Sequence, residues 1–179
     1  MPKQFTLSNE KLWLRSTRLI LSASILLVII MFSLVKLNWD STPLSEVEFT
    51  TITGKKIALT ALKGKPVIIT FWATNCPECL KEIPIFIDLY KKYHTKGLEI
   101  IAIAMHYDPP NHVINLSEAL QLPYDVVLDL TGETATVFGN VELTPSTFLI
   151  GPDSLIDVKK VGVFDPEEIK TRIEILLKG

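Results

Sequence analysis

The chain has 179 residues, a formal net charge of −2 at pH 7 and a hydrophobic fraction of 47%, with a mean hydropathy of +0.31. This length accommodates one domain and an appendage. Five bases and one acid lie at or before Lys36, so the remaining 13 bases and 19 acids leave the rest of the chain at −6. An acidic body without a basic stripe argues against nucleic-acid binding.

An uncharged apolar run occupies residues 19–35 and reads LILSASILLVIIMFSLV. It spans roughly 25 Å as a helix, and Lys36 can snorkel beyond it, so we predict a single transmembrane anchor at residues 19–37. A cleaved signal peptide is the alternative. Against it, the segment before the run is about eighteen residues long, the run exceeds about 15 residues and no small-x-small site follows.

The charges around this run predict its orientation. Four bases and a single acid precede it: Lys3, Lys11, Arg15, Arg18 and Glu10. The positive-inside rule therefore places residues 1–18 in the cytoplasm. Residues 38–47 form a polar linker, and residues 48–179 form a domain outside the cytoplasm, where disulfides can persist.

Strand and helix patterns alternate along this domain. Apolar and polar residues alternate on both sides of a Thr53-Gly54 turn, which indicates a hairpin. Continuous apolar runs indicate buried strands, and apolar residues spaced three or four positions apart indicate helices. The predicted elements are a hairpin (48–53 and 56–59), strands (67–72, 98–105, 126–128, 146–150 and 155–161) and helices (76–94, 112–120, 132–138 and one starting at Asp165-Pro166). This order predicts an α/β fold whose central strands are buried on both faces. About 140 residues can bury a core without disulfides.

The only two cysteines, Cys76 and Cys79, lie in the stretch FWATNCPEC. A zinc site needs three or four protein ligands, and the three histidines lack ligand spacing. Haem attachment needs a histidine at position 80, which is Leu80. A structural disulfide over so short a loop would restrict the unfolded chain only slightly. The spacing therefore favours thiol–disulfide exchange.

Cys76 falls where a helix is predicted to begin after a buried strand. Unpaired N–H groups and the helix dipole favour a thiolate there, and the thiolate is the nucleophile. Cys79 follows one turn later on the same face, near enough to resolve a mixed disulfide. We therefore expect Cys76 to attack and Cys79 to resolve.

Several motifs around the cysteines resemble one family. Gly64-Lys65-Pro66-Val67 precedes the strand, FWAT precedes CPEC, Glu82 and Pro84 follow, and TPSTFLI occupies residues 144–150. Together they resemble the TlpA/ResA-like membrane-anchored thioredoxin family over roughly residues 45–178. The resemblance implies a thioredoxin-like fold with an N-terminal β-hairpin extension, preceded in the chain by a single transmembrane helix. It also implies no cofactor other than a redox-active Cys76–Cys79 disulfide.

The same resemblance assigns roles to residues near the dithiol. Pro145 would be a cis-proline that turns the backbone of Thr144 toward Cys76, where a partner segment can pair with it. The buried aspartate of thioredoxin is replaced here by Thr70. Glu82 would then move the proton of Cys79, although a solvated helix glutamate is the alternative.

Four further residues are candidates for substrate contact. Asn75 stands where tryptophan often precedes the first cysteine, and Trp72 either shields the dithiol or belongs to the core. Pro77 and Glu78 separate the cysteines, and the carboxylate of Glu78 would raise the pKa of the Cys76 thiol and favour a reductant.

His106 and Tyr107, after the second buried strand, either line a partner groove or are ordinary loop residues.

The resemblance also implies partners and a location. The protein would lie in the bacterial cytoplasmic (inner) membrane, with a periplasmic or otherwise extracytoplasmic domain. This domain would reduce disulfides in partner proteins, such as apocytochrome c or proteins with copper-site thiols. A transmembrane thiol carrier of the CcdA or DsbD kind would supply electrons.

Three other functions stay open at this point. They are a disulfide oxidase or isomerase on the same fold, a non-catalytic anchored binding module, and a peroxidase of the redoxin group. The peroxidase requires a threonine three residues before the attacking cysteine, a spacing that Thr74 and Asn75 do not give.

Overall fold

A computed structural model of the chain describes residues 25–27 and 47–178. Residues 25–27 are helical and exposed, and they lie in the first of two units, residues 1–40 and 41–179. The rest of the predicted anchor at 19–37, the segment 1–18 and almost all of the linker 38–47 lie outside the described residues. Within the described ranges, no helix combines the length and the apolarity that crossing a membrane requires.

The described part of the second unit begins with the predicted hairpin. Strands β1 (Glu48–Thr50) and β2 (Lys56–Ala58) pair antiparallel, with Phe49 opposite Ile57. Both of these side chains are buried. The turn needs a positive φ, which Gly54 supplies at +82°. A short 3₁₀-helix, Leu59–Leu62, leads from the hairpin toward the main sheet.

The main sheet has five strands in the order β5-β4-β3-β6-β7. Strand β4 runs parallel to both β3 and β5, whereas β6 runs antiparallel to both β3 and β7. The strands are β3 (Val67–Trp72), β4 (Glu99–Ala104), β5 (Asp125–Leu128), β6 (Ser146–Ile150) and β7 (Ile156–Val161). Every residue of β3 and β6 is buried, as the continuous apolar runs predicted.

Four α-helices complete the described part of this unit: α1 (Pro77–Tyr93), α2 (Pro110–Ala119), α3 (Glu133–Val137) and α4 (Pro166–Leu176). The predicted first helix is confirmed, with Cys76 as its N-cap and Pro84 inside it. The predicted cap of the last helix is also confirmed, because the Asp165 carboxylate accepts from the N–H groups of Glu167 and Glu168.

The core has two layers because side chains alternate across the sheet. From β3, Ile68 and Trp72 pack with Ile83 of α1 and Ile173 of α4. Phe71 points to the opposite layer and packs edge-on against Phe138 and Phe148, next to the hairpin. The result is a thioredoxin-like α/β fold with its central strands buried on both faces.

Candidate active site

The two cysteines lie at the junction of β3 and α1. The strand ends at Trp72, and the backbone turns so that the N–H of Cys76 donates to the carbonyl of Ala73 at 3.1 Å. The sulfur of Cys76 in turn accepts from the N–H of Cys79 at 3.2 Å. The predicted position of Cys76 at the helix N-terminus is therefore confirmed, and there the unpaired N–H groups favour a thiolate.

Cys76 and Cys79 are joined by a disulfide across a Cα–Cα distance of 5.3 Å. Cys76 is the more accessible of the two, with 9% of its surface exposed against 4% for Cys79. An incoming disulfide therefore meets Cys76 first. Across residues 47–178, no group of three or more His, Cys, Asp or Glu side chains is arranged to hold a metal ion.

Glu82 is buried below the disulfide, with 1% of its surface exposed. The reading of this residue as a solvated helix glutamate is wrong, because its position falls on the buried stripe of α1 between Cys79 and Phe86. One carboxylate oxygen accepts from the N–H of Phe164 at 3.0 Å, and the other has no partner. Burial raises the pKa of Glu82 to about 7, against the lowering effect of the Phe164 hydrogen bond.

A small cavity connects Glu82 with the disulfide. Its volume is about 10 Å³, room for about one water molecule. Its wall includes Thr70, Trp72, Cys79, Glu82, Phe86 and Tyr124. Cys79, rather than Cys76, is therefore the sulfur that shares an enclosed space with the carboxylate.

Trp72 and Thr70 occupy the sheet side of this cavity. Trp72 is 4% exposed, and its indole N–H has no hydrogen-bond partner. It therefore belongs to the core and also lies against the Cys79 side of the site. Thr70 stands where thioredoxin has a buried acid, and its hydroxyl is paired with that of Thr147 at 3.1 Å. Glu82 is the acid of this cavity.

The peptide bond between Thr144 and Pro145 is cis, as predicted. Strand β6 follows it and pairs Ser146 with Phe71, so the bend lies at the same end of the sheet as Cys76. The carbonyl of Pro145 accepts from the N–H of Gly162 at 2.8 Å. The predicted substrate-binding bend is thus attached to the sheet beside the dithiol.

The other predicted contact residues lie at the surface around Cys76. Asn75, Pro77 and Glu78 are all exposed. The carboxylate of Glu78 accepts from the ammonium of Lys81 at 2.6 Å. Because this counter-charge and the solvent screen it, Glu78 acts on the Cys76 thiolate less than a free carboxylate would.

The two loop residues after β4 differ in position. The hydroxyl of Tyr107 lies 3.5 Å from that of Thr144, so Tyr107 borders the substrate-binding bend. Its side chain is also exposed. His106 instead lines a separate surface pocket with Thr131 and Gly132. The groove interpretation therefore suits Tyr107 and not His106.

Two partners of the site were not foreseen from the sequence. One is the N–H of Phe164, which donates to the carboxylate of Glu82 although the two residues are 82 positions apart in the sequence. The other is Asp108, a buried acid whose carboxylate accepts from both the N–H and the hydroxyl of Thr74. The sequence indicates only a loop at Asp108, although an acid directly before two prolines, in the loop that follows a buried strand, is a usable signal.

The comparisons with known proteins agree with this geometry. The sequence profile of the AhpC/TSA family matches residues 41–159. The thiol-disulfide oxidoreductase ResA of Bacillus thuringiensis subsp. konkukian (strain 97-27) is 37% identical over 129 residues, which is 72% of this chain and 71% of that protein.

Two solved structures are also similar. The thioredoxin family thiol:disulfide interchange protein of Chlorobium tepidum TLS aligns with a TM-score of 0.69 at 26% identity, over 76% of this chain and 96% of that one. StoA of Bacillus subtilis aligns with a TM-score of 0.61, also at 26% identity, over 70% of this chain and 93% of that one. The chain therefore belongs to the AhpC/TSA family and is a thiol–disulfide oxidoreductase of the ResA type.

Proposed function

We propose that the protein is a membrane-anchored, extracytoplasmic reductase of disulfides in partner proteins. The observation that carries the proposal is the placement of Cys76 at the start of α1, with Cys79 behind it and the buried Glu82 carboxylate sharing a cavity with Cys79. This arrangement separates the more exposed, attacking thiol from an enclosed thiol that has its own proton acceptor.

The reaction begins with the reduced dithiol. The Cys76 thiolate attacks one sulfur of the substrate disulfide, forming a mixed disulfide, and the other substrate sulfur leaves as a thiolate. Cys79 passes its proton to Glu82, and its thiolate attacks Cys76, which forms the Cys76–Cys79 disulfide and releases the second substrate thiolate. Glu82 then releases the proton that it took from Cys79, and the solvent supplies the second proton, which it received when Cys76 ionised. Two electrons therefore pass from the dithiol to the substrate, and both substrate thiolates become thiols.

An extended segment of the substrate would pair with the backbone of Thr144 beside Pro145. Asn75, Pro77 and Glu78 surround the attacking sulfur and contact the same segment, whereas the buried Trp72 supports the site from below. The resemblance supports apocytochrome c or copper-site thiols as substrates and a CcdA- or DsbD-type carrier as the electron donor. The same surface would also admit the substrates of an oxidase or isomerase.

The reduction potential decides between reductase and oxidase. For the full chain equilibrated in dithiothreitol or glutathione buffers, we expect a Cys76–Cys79 potential near or below about −230 mV, in the thioredoxin and glutaredoxin range. The fraction of disulfide can be followed by thiol alkylation and mass, and the Cys79→Ser variant, which cannot form the disulfide, provides the baseline. A value near −120 mV, typical of strong oxidants, would contradict the reductase proposal.

The location of the protein can be tested in bacterial cells that produce the full chain. We expect it to stay in the membrane fraction after alkaline carbonate washing, and its reduced cysteines to react with a membrane-impermeant maleimide in whole cells. Leu27→Lys should weaken insertion, since lysine at the centre of a spanning helix costs about 2.5–3.5 kcal/mol, whereas Leu27→Ile should not. Recovery of the unchanged chain in the soluble fraction would contradict the anchor at residues 19–37.

A further inference from the structure

Asp108 is a buried acid that the reaction described above does not use. Only 5% of its surface is exposed. One carboxylate oxygen accepts from the N–H of Thr74 at 2.5 Å and the other from the Thr74 hydroxyl at 2.6 Å. Asp108 itself ends a turn in which its N–H donates to the carbonyl of Met105 at 2.9 Å. The carboxylate thus ties two separate loops together.

Burying a carboxylate is unfavourable unless its oxygens accept hydrogen bonds. No ion pair in the described part of the chain involves Asp108, and both of its side-chain hydrogen bonds come from Thr74. Hydrogen bonds to a charged group are shorter and stronger than those between neutral groups. The pairing is therefore specific to one residue of the loop between β3 and α1.

That loop controls where the attacking sulfur lies. Thr74 stands between Ala73, which is completely buried at the end of β3, and Cys76, the N-cap of α1. The Cys76 sulfur benefits from the helix N-terminus only while it faces the N–H of Cys79, at 3.2 Å in this structure. Freedom at Thr74 would let the sulfur move away from that N–H.

We propose that Asp108 is a positioning residue for the nucleophile, which holds Thr74 so that the Cys76 sulfur stays at the N-terminus of α1. Asp108 acts through the loop and does not touch the substrate. The inference rests on one part of the proposed function, namely that Cys76 is the attacking thiol, and not on the direction of electron flow or on the membrane anchor.

The test uses the full chain with Cys79→Ser, so that Cys76 is the sole cysteine. The rate of its alkylation by iodoacetamide is measured against pH, and the midpoint reports the pKa of the thiol. We expect Asp108→Ala to raise the midpoint by about one pH unit, which slows alkylation near neutral pH about tenfold because the thiolate fraction falls. Thr74→Val, which removes one of the two hydrogen bonds, should shift the midpoint in the same direction.

Two conservative variants provide matched controls. In Asp108→Asn the amide oxygen can accept from the Thr74 N–H, and the Thr74 hydroxyl can turn to accept from the amide nitrogen. Thr74→Ser keeps both donors. Neither variant should raise the midpoint, and each is checked for native folding by circular dichroism.

The contrast between Asp108→Ala and Asp108→Asn is decisive. Equal midpoints in the parent and in folded Asp108→Ala would overturn the proposal. An equal rise in Asp108→Ala and Asp108→Asn would also overturn it, because the contacts that asparagine keeps would then not hold the sulfur in place; loss of the charge alone would lower the midpoint. If Asp108→Ala does not fold, Thr74→Val against Thr74→Ser decides in the same way. A parent midpoint at or above about 8.5, the value of an ordinary thiol, would instead contradict Cys76 as the activated nucleophile.

Discussion

Replacing Cys76 with serine is expected to reduce the disulfide-reducing activity to the uncatalysed level, whereas Cys79→Ser should stop the reaction at the mixed disulfide. A serine hydroxyl is not ionised near neutral pH, so it cannot replace the Cys76 thiolate as a nucleophile. The Cys79→Ser protein retains the accessible thiol at the start of α1 but has no second thiol to release the bound substrate.

The experiment follows the full chain, reduced and then mixed with a disulfide-containing protein such as insulin. Non-reducing electrophoresis should show a covalent complex with Cys79→Ser that dithiothreitol dissolves. The Cys76→Ser/Cys79→Ser double variant should show none and serves as the control. A stronger complex with Cys76→Ser than with Cys79→Ser would reverse the two roles.

The same variants address the non-catalytic alternative. An anchored binding module would function equally well with serine at position 76, because its surface would be almost unchanged. Loss of function in a cell that produces Cys76→Ser at the normal level would therefore exclude that alternative. Full function would exclude the reductase.

Local patterns predicted most of the fold. The run VIITFW at residues 67–72 is continuous and apolar because β3 is the middle strand and has a core layer on each face. The residues Asp165-Pro166 start the last helix because an acceptor at the N-cap and a proline at the first position need no distant partner. Both features depend only on neighbours in the sequence, which is why the sequence suffices for them.

The site was predicted less completely because its chemistry depends on contacts between distant residues. The cysteines could be found from their spacing, and Glu82 from the resemblance to the family. The raised pKa of Glu82, however, requires knowing that its helix face is covered by the core, and its one hydrogen bond comes from Phe164. The pairing of Asp108 with Thr74 spans 34 positions in the same way. Short-range patterns carry no information on such pairs.

Glu82→Gln is expected to slow the resolving step, and increasingly so as the pH rises. With a pKa of about 7, the wild-type carboxylate is mostly protonated at pH 6 and mostly free to accept a proton at pH 8. Glutamine cannot accept a proton at any pH. The decay of a preformed mixed disulfide should therefore be similar in both proteins at low pH and about a hundredfold slower in the variant at pH 8, as is usual for loss of a general base.

Stopped-flow decay of the mixed disulfide between pH 5.5 and 8.5 measures this step. Asp88→Asn is the matched control, since Asp88 lies on the same helix but is exposed. A constant ratio between wild type and Glu82→Gln across this range would contradict Glu82 as the proton acceptor. The initial attack by Cys76 should change little, because the cavity holds Cys79 and not Cys76.

The same substitution should change how stability depends on pH. The carboxyl titrates near its ordinary value of 4.5 in the unfolded chain and at about 7 in the folded one. Below about pH 4.5 it is protonated in both states and has no effect. Between these values the unfolded chain releases the proton and the folded protein keeps it, so the wild type loses stability as the pH rises, by about 3 kcal/mol in total, and the loss levels off above pH 7.

Glu82→Gln removes this titration, because glutamine stays neutral while its amide oxygen can still accept from Phe164. Urea unfolding of the oxidised full chain is measured at pH 4.5, 6 and 8. The free energy of unfolding of the variant should increase relative to that of the wild type as the pH rises. Stability curves that stay parallel would mean that Glu82 ionises like an exposed glutamate. Replacing a purely structural residue would lower the stability of the protein. If Glu82→Gln instead slows the resolving step and raises the stability above pH 7, the carboxylate serves the proton transfer and not the fold.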